Sequence, residues 1–265
     1  MPRTNHPGRS VGSKLLEVLF AFRPNRTRMT LAELTRATGL DPATVRRLAL
    51  ELVDAGALDR AEDGTLSVGI RLWQLGTLSP LSMPLRAAAL PIMEDLQSAV
   101  GEHVQLAVRK GQEAVIVERL SGPHAVSVVS RVGGRLPLHS SGVGKVLLTH
   151  APADVVAQVL EAPIARLTAR TITDARGLEK VLEACRGTGI ATVREETSSG
   201  ADSVATRVMD AEGRVVAALS LVVRSGTADL RALAPTVVTA GLAISRRLGW
   251  TALVGVRGPW EPSAP

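Results

Sequence analysis

LAELTRATGLDPATVRRLALELVDAGALDR, residues 31–60, carries two short helical patterns separated by a glycine. Thr30, just ahead of it, has the chemistry of an N-cap, with Glu33 three residues on as its capping-box partner. Leu31, Leu34 and Ala37 then fall on one face, and Gly39 ends the pattern. Asp41-Pro42 opens the second helix, Asp as N-cap and Pro where its missing N–H is harmless. Val45, Leu48, Ala49, Leu52 and Val53 form its inward side. Ala43, Arg47 and Glu51 face outward with Thr44 beside them, and Gly56 ends the helix.

Outward from this stretch, the flanks complete a unit. Upstream, Val11, Leu15, Val18, Leu19 and Phe22 recur at helical spacing from Ser10 until RPNRTR (23–28) breaks the pattern. Downstream, ALDR and TLSVG are two short strands joined by the turn Glu62-Asp63-Gly64. Helix, short helix, tight turn, third helix and hairpin make a winged helix-turn-helix. A single helix fits the DNA major groove, and residues near its N-terminus reach base edges. Ala43, Thr44, Arg46 and Arg47 are therefore candidate DNA contacts, with Thr30 at the preceding helix start and Arg60 on the hairpin.

The remainder changes character. An amphipathic helix over 83–100 is expected to be interrupted near Pro91. EHVQLAVRKGQEAVIVERL is strand, Lys110-Gly111 turn, strand, and HAVSVVSRV (124–132) is a further strand. LPLHSSGVGKVLLTH (136–150) is strand, small-residue turn and helix start. VVAQVLEAP and LEKVLEACRGTG are helices, and GIATVREE is a strand. SVATRVMDAEGRVVAALSLVV is a hairpin about residues 210–213, and LRALAPTVVTAGLAISRRLG is a last helix. Hairpins mixed with helices imply an α+β domain with a largely antiparallel sheet. The organisation expected is a disordered tail over 1–9, a DNA-binding domain over 10–78, a linker helix and second domain over 79–250, and a mobile tail over 251–265. There is no internal repeat.

Composition narrows the function. The 265 residues are 45% hydrophobic but 2% aromatic, without tyrosine. That argues against stacking platforms for single-stranded nucleic acid. A net charge of +6 suits an anionic partner. The one cysteine, Cys185, excludes an internal disulfide and a Cys-rich zinc site, and it sits at a core position of its helix. No apolar leader and no membrane-length apolar run are visible, so a reducing cytoplasm is expected, without a membrane role.

Catalytic motifs fail on inspection. The Gly144-Lys145 pair has His139 where a P-loop needs glycine, and Val146 where it needs Ser or Thr. Gly8-Arg9-Ser10-Val11-Gly12 matches a nucleophile elbow by letter, but no strand precedes it. Ser140 and Ser141 beside His139 are better read as caps of the helix starting near Gly142, with His139 and Lys145 structural or at a rim. Glu195 and Glu196 point to opposite faces of a strand, so a strand-end or loop role suits them better than an acid–base pair. The histidines have no helical metal-pair spacing. No cofactor and no metal are expected.

Beyond these local readings, residues 10–249 resemble the IclR family of bacterial transcriptional regulators. The resemblance rests on residues 31–60 and on three further segments in order: RVGGRLPLHSSGVGKVLL (131–148), TARTITDARGLEKVLEACRGTGIATVREETSSGADSVATRV (168–208) and GRVVAALSLVV (213–223). It implies a GAF-like α/β effector-binding domain behind the linker helix. It also implies a homodimer or dimer of dimers on a double-stranded DNA operator, repressing or activating in response to a small organic acid. By similarity the effector pocket comprises Leu136, Gly142, Val143, Val193, Ala201, Ser203, Ser220 and Val222. Members often carry a polar or acidic residue at the Val193 position and Ser at the Val222 position, so a more apolar ligand with one anionic end is implied. The helix start after Ser141 would receive that end. Arg46 and Leu66 replace an aromatic or His and a Tyr common in the family, which alters the operator expected. The alternative is a binding or catalytic domain whose helix-turn-helix serves only dimerisation.

Overall fold

The computed structural model describes residues 10–23, 26–78, 83–123, 125–128 and 130–251. The tails expected over 1–9 and 251–265 lie outside these residues, apart from Thr251. The chain divides into two compact units, Met1–Met83 and Pro84–Pro265.

The first unit holds α1 (Val11–Phe20), β1 (Arg28–Met29), α2 (Leu31–Thr38), α3 (Pro42–Asp54), β2 (Leu58–Arg60), β3 (Leu66–Val68) and α4 (Ile70–Thr77). The capping box forms as the sequence implies. Glu33 N–H donates to Thr30 Oγ1 at 3.3 Å, and Thr30 N–H donates to Glu33 Oε2 at 2.8 Å. Gly39 closes α2 in the left-handed conformation, φ 66°, which costs glycine least. Val18, Leu34, Val45, Leu48 and Leu58 make one core under the wing.

Four expectations need correction here. Ala37 is exposed: α2 is a short helix that commits only Leu34 fully to the core. Asp41 precedes α3 but its side chain caps no N–H. The RPNRTR break leads straight into β1, which pairs with β3 and makes the wing three-stranded, order β1-β3-β2. Two residues are too few to show alternation. Finally, α4 follows the hairpin directly, exposing Ile70, Trp73 and Leu75. Its apolar residues do not mark an inward face, so periodicity does not reveal it.

The second unit takes in α5 (Met83–Val100) from Pro84 onward. It continues through β4 (His103–Lys110), β5 (Glu113–Leu120), β6 (Arg135–Pro137), α6 (Gly142–Thr149), α7 (Ala153–Glu161) and α8 (Ala175–Thr188). It ends with β7 (Ile190–Arg194), β8 (Ala201–Met209), β9 (Val215–Arg224) and α9 (Leu230–Arg247). The six strands form one antiparallel sheet, order β6-β5-β4-β9-β8-β7. Strand alternation splits the apolar residues between its faces. Leu106, Val204 and Leu219 pack with α5 and α9, and Ala107, Ala205 and Ala218 with α6 and α8. This is the α+β architecture read from the sequence.

Two details differ. Pro91 lies inside a continuous α5. The helical bond it removes is offset by the buried stripe Leu85, Ala89, Met93 and Leu96. Of the strand expected over 124–132, residues 125–128 and 130–132 are described and form none. The edge strand is instead β6, paired to β5 through Leu136↔Ala114. The segment alternates apolar and polar like a strand, but its Val126 and Val128 pack over Ala201 and Val222 on the sheet's face.

Candidate ligand cavity and DNA-contact face

A cavity of about 430 Å³, its open mouth included, lies on the α6 face of the sheet. Leu136, Gly142, Val143 and Val193 line it together with Ala201, Ser203, Ser220 and Val222. These are the eight positions named from the sequence, drawn from β6, α6, β7, β8 and β9. Register explains their convergence. His103, Val222, Ser203 and Val193 form one row across β4, β9, β8 and β7, and Gln105, Ser220 and Ala205 form the next. Residues in such rows share a face.

The helix over this floor sits very close to it. A Cβ on Gly142 would lie 2.8 Å from Ser203 Oγ and 3.3 Å from Ala205 Cβ. Glycine therefore lets the first turn of α6 approach β8. Ser141 is the N-cap, its Oγ accepting the Gly144 N–H at 3.1 Å. The Gly142 and Val143 amides precede the first helical bond, the Lys145 N–H to Ser141 O, so a helix start faces the cavity.

Five further lining residues were not named from the sequence, Gln105, Val128, Ser130, Thr197 and Ser198, and Ser141, read there as a cap, lines the cavity too. Gln105 and Ser130 lie 25 residues apart, and Gln105 Nε2 donates to Ser130 Oγ at 2.7 Å with both residues buried. Behind them, Arg119 donates through Nη1 to Ser130 O and through Nη2 toward the His103 ring, at 3.3 Å from Nδ1. The His103 Nε2–H donates to Val126 O, so Nδ1 is the acceptor, for Ser121 as well. Burial holds the His103 imidazole below its ordinary value and pushes the Arg119 guanidinium down.

At the other flank stands a buried ion pair. Lys145, fully buried on α6, meets Glu196 at 2.5 Å. Burial pushes the Lys145 ammonium down, opposed by Glu196. Glu195 and Glu196 follow the end of β7, in keeping with a strand-end or loop role. Glu195 has φ 54° and pairs with Arg170 at 3.0 Å. Thr197 Oγ1 donates to Ser140 O at 2.9 Å, a second tie between this loop and the α6 start. His139 is also buried, its Nε2–H on Ala165 O at 3.0 Å. His139 and Lys145 are interior groups rather than a rim. Cys185 is in the core, its thiol pushed up by burial. Among the described residues no cluster of metal-ligating side chains occurs, and no helix is long and apolar enough to cross a membrane.

In the first unit, Ala43, Arg46 and Arg47 are exposed on the first two turns of α3, with Thr44 half-buried beside them. Arg47 rests on Glu51 at 2.8 Å, an exposed i,i+4 pair that is cheap to break. Arg60 is exposed on β2. The Thr30 hydroxyl is engaged with Glu33 at 2.9 Å, so a DNA contact there would compete with the cap. The basic run upstream holds candidates the sequence reading passed over. Arg26, with Arg36 of α2, acts on Glu33, and Arg28 bonds Asp63 and Thr65 across the wing.

Comparison with known proteins agrees with both units. Residues 79–246 match the family profile described as bacterial transcriptional regulator IclR C-terminal, and residues 13–62 match the IclR helix-turn-helix domain. The chain is 30% identical to the HTH-type transcriptional regulator XynR of Escherichia coli, over 90% of this chain and 97% of that one. It is 29% identical to the regulator KipR of Bacillus subtilis, over 91% and 97%. Among solved structures, an IclR homolog from Microbacterium hydrocarbonoxydans complexed with 4-hydroxybenzoate superposes with TM-score 0.86. It shares 35% identity, over 90% of this chain and 99% of that one.

Proposed function

The chain belongs to the IclR family of bacterial transcriptional regulators, and we propose that it binds an operator through α3 and the wing and responds to an organic acid held in the sheet cavity. The observation that carries the reading is the pairing, in one chain, of an exposed recognition helix with a separate cavity lined by all eight expected residues. The 4-hydroxybenzoate held by the similar structure supports an aromatic acid as the first ligand to try. The apolar walls Val128, Leu136, Val193 and Val222 suit its ring.

Ala43, Thr44, Arg46 and Arg47 contact bases or phosphates, Arg60 contacts the backbone, and Thr30 positions α2. The protein acts by binding rather than catalysis, in the cytoplasm. Exposed Leu16 and Phe20 on α1 and Trp73 and Leu75 on α4 support association of two copies through this unit. A ligand switches such a protein only by preferring one of two arrangements of the DNA-binding heads.

The test is anisotropy titration of the full chain with duplex DNA from upstream of its own gene and with a scrambled duplex. Specific binding that weakens steeply with salt is expected. Arg47→Ala should cost about 1–3 kcal/mol of the specific affinity. Unaltered specific binding by that variant would remove α3 from the interface. Equal affinity for the two duplexes would favour a helix-turn-helix that serves only dimerisation.

A further inference from the structure

The cavity runs across the sheet from Gln105 on β4 to Thr197 and Ser198 beyond β7. β4 and β7 are three strand spacings apart, about 14 Å. Both ends are polar and the walls between are largely apolar. The ends differ in charge. Beyond β7, each nearby carboxylate has its own cation: Glu195 has Arg170 and Glu196 has Lys145.

The β4 end is different. Arg119, paired with Gln105 across the β4–β5 ladder, is half-buried. Its donors reach only neutral groups, the Ser130 carbonyl and the His103 ring, and its buried Nε has no partner among the described residues. Neighbouring Glu118 is spent on Arg86 of α5. A partly desolvated cation without a counter-ion is costly until an anion arrives. Burial lowers the Arg119 guanidinium, and among the described residues no carboxylate pairs with it. Ser130 Oγ, having accepted from Gln105, keeps its own hydrogen to donate into the cavity.

We infer that the ligand is an elongated organic acid polar at both ends, its carboxylate seated at Gln105–Ser130 and its second polar group toward Thr197–Ser198. Arg119 is the positioning residue that selects for charge, acting through Ser130. This rests on the cavity being the effector site. It moves the anion from the α6 start, which lies over β8, to the β4 end. A para-hydroxylated benzoate has the required shape.

The test is isothermal titration of the full chain with 4-hydroxybenzoate and with its neutral counterpart 4-hydroxybenzamide. The unaltered protein should prefer the acid. Arg119→Gln should weaken the acid about tenfold or more and leave the amide within about twofold, while Arg119→Lys restores most of the preference. Equal losses for both ligands would make Arg119 a structural residue only. An unaffected acid affinity would return the carboxylate to α6. Should Arg119→Gln fail to fold, Ser130→Ala is expected to weaken the acid more than the amide, and parity there overturns the inference. Failure of the unaltered protein to bind either compound overturns it too, while operator binding, measured separately, would stand.

Discussion

At the scale of single residues, glycines of one helix and its neighbour have opposite reasons for being there. A Cβ on Gly144 would lie 2.5 Å from Pro137 O and 2.7 Å from Leu138 Cα. These are backbone atoms that cannot swing aside. Gly144→Ala should therefore cost about 1–3 kcal/mol by overpacking. Gly187, exposed on α8, has nothing within 4 Å of its would-be Cβ, and Gly187→Ala should stabilise by about 0.5–1 kcal/mol. Urea unfolding of the two variants checks both signs. A Gly144→Ala variant as stable as the parent would mean that α6 is not packed against residues 137–138 as described.

At the scale of elements, the Lys145–Glu196 pair ties α6 to the loop after β7. Breaking it from one side strands a charge in the interior, so Lys145→Met should cost about 3–5 kcal/mol. Replacing both partners, Lys145→Met with Glu196→Leu, removes the stranded charge and should recover most of that loss. Thermal melts of the single and double variants decide it. A double variant as unstable as the single one would assign the loss to packing rather than charge. The cap of α2 is smaller in scale. Thr30→Ala removes the hydroxyl half of the capping box, leaves the backbone N–H on Glu33, and should cost about 1 kcal/mol, read by denaturation of the first unit.

At the scale of the whole molecule, burial governs the response to acid. His103, His139 and His150 are all held below the ordinary imidazole value, with burial the largest cause in each. The native protein therefore binds fewer protons than the unfolded chain just below about pH 6.5. Their contribution to stability is complete above that value and is lost as pH falls toward the depressed native values. A Tm that is level above pH 7 and declines from about pH 6.5 downward is expected. A Tm rising on acidification to about pH 5.5 would show these rings to be charged in the folded state.

Much of this molecule is legible in local chemistry. The capping box at Thr30 and Glu33, the Gly39 stop, the inward stripe of α3 and the turns at Gly111 and Gly213 all act over three or four residues. Spacing alone reveals them. The family resemblance carried the eight cavity positions across five elements, which periodicity could not have done. Tertiary structure decided the rest. Pro91 stays helical because a buried stripe outweighs one missing bond. The segment after β5 lies over the sheet rather than in it because Val126 and Val128 find Ala201 and Val222 there. Lys145 stays undecided between a structural and a rim residue until Glu196, 51 residues away, is seen beside it. Gln105, Ser130 and Arg119 become one polar end only when β4, β5 and the following loop meet. Short-range hydrogen bonding and side-chain period are written along the chain, whereas burial and charge neutralisation depend on what folding brings alongside.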